Sequence, residues 1–201
     1  MLEAADLECE RGGRVLFRSL SLALQPGELL RVAGPNGSGK TSLLRILCGL
    51  LSPTAGEVRW KAASIHSLKE EYSKQLLYLG HAPAVKDDLT AAENLSITSK
   101  LAGLAVAEKD VHAALERYGL PGGDQPVRKL SQGQRRRAAL ARLILSESRP
   151  LWLLDEPFTA LDTAAAKLTR ELITAHAARG AAIVYTTHHD AGLRDTRTIE
   201  L

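Results

Sequence analysis

The sequence predicts an α/β fold: a core of parallel strands with a mostly helical piece inserted in mid-chain. Two observations carry this. Apolar, strand-like runs at residues 28–33 (ELLRVA), 151–154 (LWLL) and 181–186 (AAIVYT) alternate with helical patterns, which is how parallel strands are connected. Between the first run and the second, residues 87 to about 149 change to helical periodicity with polar breaks.

The elements follow in order. DLECE (6–10) and RVLFRSLSLAL (14–24) alternate apolar and polar residues and read as short strands. Pro26 and Gly27 mark a turn into the core strand 28–33. A glycine-rich loop follows. The helix after it carries Leu43, Leu44, Ile46, Leu47, Leu50 and Leu51, apolar nearly all round, and is expected to be buried. SPTAG (52–56) is a loop, and a short strand begins at 57–60. AAENLSITSKLAG and AEKDVHAALERYG are amphipathic helices, broken by 119–123 with Pro121. Ser131 is placed to cap a helix from 132 to about 146. A helix at 164–178 connects the last two core strands.

Composition narrows the function classes. A chain of 201 residues buries roughly 70% of its unfolded surface and needs no staple. The net charge of +3 is too small to indicate nucleic acid as a partner. Cys9 and Cys48 lie far apart and outside metal spacing, which fits a reducing compartment, and Cys48 reads as a buried small hydrophobe. The charged N-terminus lacks the apolar core of a signal peptide, and no window of 18 apolar residues offers a membrane span.

Two motifs carry chemistry. GPNGSGKT comprises Gly34, Pro35, Asn36, Gly37, Ser38, Gly39, Lys40 and Thr41, followed by Ser42. It lies between a strand and a helix. Its glycines let backbone N–H groups turn around phosphate oxygens at a helix N-terminus. Lys40 is expected on the β- and γ-phosphates and the Thr41 hydroxyl on Mg²⁺. The apolar strand 151–154 ends in Asp155 and Glu156, a metal clamp followed by a residue that can polarise an attacking water. Between these motifs lies LSQGQ, with Ser131, Gly133 and Gln134 at a helix N-terminus. That position suits an anion, and simple capping by Ser131 is compatible with it.

In this order the motifs resemble those of the ATP-binding-cassette (ABC) ATPases over nearly the whole chain. The resemblance implies a P-loop NTPase core with a parallel sheet, an N-terminal antiparallel β subdomain and an inserted helical subdomain. A single domain then spans 1–201, with 1–85 and 150–201 forming the core and 86–149 the helical part. LSQGQ is similar to the family signature LSGGQ, with Gln132 in place of a glycine. Asp162 (in Ala160-Leu161-Asp162) resembles the D-loop, and His188 the switch histidine, favoured over His189 by strand register. The implied cofactors are ATP and Mg²⁺. The implied partner is a second copy, whose signature completes the γ-phosphate site. Two positions depart from the pattern. Arg11 stands where an aromatic ring usually supports adenine; a guanidinium can stack on a base, and a solvated loop arginine is the alternative. His81 stands where a glutamine usually meets the attacking water or a Mg²⁺ ligand; a surface histidine is the alternative.

About 90 residues without heptads separate P-loop and signature, unlike the coiled-coil ABC proteins, and one bare cassette is similar to transporter ATPases. LLYLGHAPAVKDDLTAAENL, LSQGQRRRAALARL and PLWLLDEPFTALD resemble the haem-exporter ATPases of cytochrome c maturation. That resemblance implies membrane permease subunits of that system as partners and a peripheral place on the cytoplasmic face of the bacterial inner membrane. Haem binding by the chain itself is not expected, because no C-x-x-C-H motif is present. His66, His112 and His176 read as polar or helix-surface residues. The run Arg135–Arg137 reads as a solvated helix face or a dimer contact rather than a nucleic-acid patch. An ABC exporter ATPase for another cargo, a soluble ABC regulator and a small P-loop kinase are the competing functions.

Overall fold

The computed structural model describes residues 1–188 and 191–201. It contains two sheets. The first is antiparallel, with strands β1 (Leu2–Arg11), β2 (Arg14–Leu24), β4 (Ala55–Trp60) and β5 (Ala63–Ser64) in the order β2-β1-β4-β5. The second is parallel and contains β3 (Leu29–Ala33), β6 (Leu76–Leu79), β7 (Leu151–Leu154), β8 (Ala182–Thr186) and β9 (Thr196–Glu200), in the order β6-β7-β8-β3-β9. Helix α1 (Lys40–Leu47) follows β3, and two single-turn helices, α2 (Ile65–Leu68) and α3 (Glu70–Ser73), precede β6. Helices α4 (Ala91–Leu101), α5 (Glu108–Arg117), α6 (Gln132–Leu140) and α7 (Arg142–Leu145) lie between β6 and β7, and α8 (Thr163–Ala178) joins β7 to β8.

Period-two alternation divides the core into two halves across the parallel sheet. Leu30, Val32, Leu151, Leu153, Ala182 and Val184 pack with α1 and the inner face of the antiparallel sheet. Leu29, Trp152, Leu154, Ile183 and Tyr185 face the other way, toward α8 and the helices inserted between β6 and β7. With both faces covered, every residue of β7 and β8 is buried, which is why those strands read as unbroken apolar runs. Because the strands are parallel, β3, β6, β7 and β8 deliver their carboxyl ends to one edge, where α/β sheets bind ligands.

Four expectations are corrected. Helix α1 stops at Leu47. Gly49, at φ 77°, turns the chain, so Leu50 is 68% exposed and Leu51 only half-buried. The helix expected over 132–146 breaks at Ala141 into α6 and α7. Cys48 is half-buried rather than buried; its thiol donates to the Arg45 carbonyl, and burial pushes its pKa up to about 11. His176 is not a surface residue. It is 3% exposed, its ring is stacked 3.9 Å from that of Trp152, and its Nε2 lies 2.8 Å from the Arg149 carbonyl. Its position on the helix puts it on the same face as Leu172 and Ile173, where the apolar stripe packs on β7.

Candidate active site

The glycine loop leaves β3 and enters α1. At Gly34, φ is 139°, and a Cβ would stand 2.7 Å from the Leu201 carbonyl oxygen and 2.8 Å from Ser38 Oγ. At Gly39, φ is 110°, and a Cβ would press on Leu16 and Phe17 at 3.1 Å. Side chains are therefore excluded from both ends of the loop. Gly39 is also the N-cap of α1 and brings no side-chain acceptor, so the first N–H groups of the helix have no side-chain cap. A cavity of about 450 Å³ opens over this helix end and is lined by Asn36, Gly37, Gly39, Lys40, Thr41 and Ser42. Helix dipole and unpaired donors make that end suited to phosphate. Lys40 is buried, and its Nζ donates to the Gly34 and Pro35 carbonyls at 2.8 and 2.9 Å. An ammonium has three donors, so one remains for an anion in the cavity.

The carboxylates meet the loop across the sheet. Asp155 follows β7 and is 1% exposed. Its Oδ2 accepts from Thr41 Oγ1 at 2.8 Å and its Oδ1 from Thr186 Oγ1 at 2.8 Å. Glu156 sits at φ 51°, a left-handed conformation uncommon for a residue with a Cβ. Its N–H donates to Thr186 Oγ1 at 2.8 Å, and Oε2 accepts from Thr159 at 3.3 Å. Oε1 lies 3.2 Å from Nε2 of His188. His81, at the end of β6, lines the same cavity with Asp155, Glu156 and His188.

The other expected residues are not gathered here. Arg11, exposed at the end of β1, does not line this cavity, whereas Leu16 does. Ser131, Gly133 and Gln134 do not line it either. Ser131 and Gln134 form a reciprocal capping box on α6: the Gln134 N–H donates to Ser131 Oγ at 3.2 Å and the Ser131 N–H to Gln134 Oε1 at 2.8 Å. Gly133 passes so close to the Ala160 carbonyl that a Cβ would stand 3.2 Å from it. Asp162 caps α8 through the Ala165 N–H and stands 3.4 Å from Arg137. His189, the alternative to His188, lies outside the described residues.

The arginine run is corrected as well. Arg135 pairs with Asp87 at 2.9 Å, but Arg136 is 5% exposed and forms neither a solvated face nor a surface contact. Its signal was present in the sequence: Arg136 shares a helical face with Ala139, Leu140 and Leu143, which are buried. Thr186 was also missed. It follows four apolar residues of β8, and the parallel register that pairs Leu154 with Tyr185 sets it beside Asp155.

The donor set fits Mg²⁺. A hydroxyl and a carboxylate 2.8 Å apart at a phosphate loop supply hard oxygen ligands and leave room for water and phosphate oxygens, as this ion prefers. Among the described residues, no group of three or more His, Cys, Asp or Glu could hold a metal. The His81 imidazole is a poorer Mg²⁺ ligand than an oxygen donor and suits a hydrogen bond better.

A protein-family model described as ABC transporter matches residues 17–159. The chain is 55% identical over 192 residues to the cytochrome c biogenesis ATP-binding export protein CcmA of Aromatoleum aromaticum, covering 95% of this chain and 90% of that protein. It is 53% identical over 190 residues to the protein of the same name from Nitrosospira multiformis, covering 94% and 92%. Among solved structures, the dimeric ATP-binding cassette MJ0796 in a post-hydrolysis state with ADP and Pi is similar with a TM-score of 0.86 at 25% identity, covering 100% of this chain and 94% of that one.

Proposed function

The chain belongs to the ABC transporter family and is an ATP-binding, ATP-hydrolysing subunit; on that premise we propose that it serves cytochrome c biogenesis. In this reading, ATP binding and hydrolysis drive haem export or the release of a haem-loaded chaperone. High identity to CcmA proteins over nearly the full length supports the pathway. Among the described residues, no helix is long and apolar enough to cross a membrane. In the same reading, membrane permease subunits hold the chain at the cytoplasmic face of the inner membrane.

The observation that carries the hydrolytic reading is the placement of Glu156. It stands one residue beyond the metal-side Asp155, lines the phosphate cavity, and has Nε2 of His188 3.2 Å from its Oε1. Lys40 and the first amides of α1 would hold the phosphates, while Thr41 and Asp155 would hold Mg²⁺. The ion, when bound, neutralises charge on the transferred phosphoryl group. Glu156 accepts the proton of the attacking water, and His188 fixes the carboxylate and reaches the γ-phosphate side. His81 offers a second hydrogen bond to the water. Ser131, Gly133 and Gln134 lie away from the cavity of their own chain, and in this reading they act on the cavity of a second copy. Asp162, close behind the same signature helix, belongs to that interface.

One variant tests both parts. Purified Glu156→Gln keeps ATP binding, loses turnover by roughly 10²–10⁴-fold and accumulates as an ATP-bound dimer. Expressed in place of the wild type, it leaves cells without haem-stained c-type cytochromes. Turnover at the wild-type rate removes Glu156 as the base. Normal c-type cytochromes despite an inactive ATPase remove the pathway.

A further inference from the structure

Arg136 is the buried member of the arginine run, and the reading above leaves it without a role. It projects from the second turn of α6 into the junction between that helix and the parallel sheet. Its guanidinium touches neither catalytic carboxylate. Nη1 donates to the Gly80 and His81 carbonyls at 3.0 and 3.2 Å, and Nη2 to the Asp155 and Glu156 carbonyls at 3.0 and 2.6 Å. One side chain thus holds two adjacent peptides at the end of β6 and two at the end of β7.

A buried guanidinium is a costly way to join a helix to a sheet, since an apolar side chain of similar volume does so without desolvating a charge. Burial lowers the Arg136 pKa, and the Asp155 and Glu156 carboxylates oppose that shift. What an apolar residue cannot do is fix carbonyl directions. Glu156 needs this fixing. A left-handed residue other than glycine is strained and persists only where its surroundings over-determine it. Its N–H is held by Thr186 and its carbonyl by Arg136, so the peptides on both sides of the strained residue are pinned.

We propose that Arg136 is a positioning residue for hydrolysis, tying the backbone of Asp155, Glu156 and His81 to the helix that carries LSQGQ, so that the Glu156 carboxylate is held in its working orientation. The proposal rests on the assignment of Glu156 as the base. It acts on chemistry rather than on nucleotide affinity, because Lys40, Thr41 and the α1 amides are untouched by the guanidinium.

The test compares Arg136→Met, Arg136→Lys and Arg136→Ala in the assembled complex, with Glu156→Gln alongside. For Arg136→Met the expected result is a kcat lower on the order of 10²-fold, as for a reacting group displaced by about 1 Å, with KM for ATP and ATP affinity within about threefold of wild type. Lysine keeps some donors and restores part of kcat. Millimolar guanidinium raises the rate of Arg136→Ala but not that of wild type. If the methionine variant does not fold, the lysine and alanine variants carry the same comparison. The proposal is overturned if a folded variant keeps wild-type kcat. It is equally overturned if kcat and ATP affinity fall together and neither lysine nor guanidinium restores the rate. A fully active Glu156→Gln instead sinks the assignment of the base, whatever the arginine variants do.

Discussion

Replacing Thr186 with valine tests whether the site is held by the hydrogen bonds described above. Valine matches threonine in shape but cannot donate or accept. Thr186 is fully buried, and its hydroxyl makes two bonds, donating to Asp155 Oδ1 and accepting from the Glu156 N–H, each at 2.8 Å. Losing the first takes a charge-assisted bond from a carboxylate that is 1% exposed, which costs about 1.5–3 kcal/mol. Losing the second orphans a buried N–H, which costs about 1–3 kcal/mol more. The sum, about 2.5–6 kcal/mol, is a large part of the roughly 5–15 kcal/mol that holds a domain together. With a urea m-value of about 2–3 kcal/mol/M, the unfolding midpoint falls by about 0.8–3 M at unchanged slope. Thr186→Ser keeps both bonds and loses one methyl, costing about 1 kcal/mol. Equilibrium urea unfolding followed by tryptophan fluorescence reads both variants, since Trp152 lies in the adjacent strand. A valine variant within 1 kcal/mol of wild type, or a serine variant as weak as the valine one, refutes the reasoning.

His176 gives a pH dependence with a definite sign. Burial lowers its pKa below 6.5; its Nε2 is occupied by the Arg149 carbonyl, and its buried Nδ1 has no hydrogen-bond partner among the described residues. The unfolded chain therefore binds the proton more readily, and the stability contributed by neutral His176 is present above pH 6.5 and lost as pH falls below it. Melting temperature measured at pH 7.5 and pH 5.0 should differ less in His176→Gln than in wild type; an equal difference refutes this. Ser131→Arg removes the α6 cap at a cost of about 1 kcal/mol and places a bulky cation in the proposed dimer face. ATP binding to the monomer should survive while the ATP-dependent dimer, measured by light scattering, is lost. Loss of nucleotide binding by the monomer would mean that the signature does not act in trans.

Local patterns made β1 to β4, β7, β8 and the phosphate loop legible, because those features are written in neighbouring residues, while β5 and β6 went unread. The run at 14–24 alternates because one face of β2 is wet, and the glycines of the loop are forced by backbone approach. Elements whose evidence is non-local were harder to see. β9 is an edge strand with a polar pattern, and only pairing with β3 makes it a strand. The break at Ala141 has no glycine or proline to mark it. His176 and Arg136 were misjudged for one reason: polar side chains were assigned to the surface by type, whereas their position on an apolar helix face puts them inside. Periodicity applied to polar residues, as it is to leucines, would have placed both.

The signature shows how one stretch of sequence serves two ends at once. Capping and anion binding were competing explanations for Ser131 and Gln134, and the capping box is present. A helix N-terminus, however, has several unpartnered N–H groups, and this cap uses only that of Gln134 within the helix. The N–H groups of Gln132 and Gly133 gain no intrahelical partner from it. The box therefore does not compete with an anion. It fixes Ser131 at the helix end, with its hydroxyl proton still available as a donor. Simple capping would be complete in the isolated chain and would make no demand on a second one. The proposed lending of this helix end to another cavity makes such a demand, which is why the dimer assay on Ser131→Arg separates two roles that the same hydrogen bonds support.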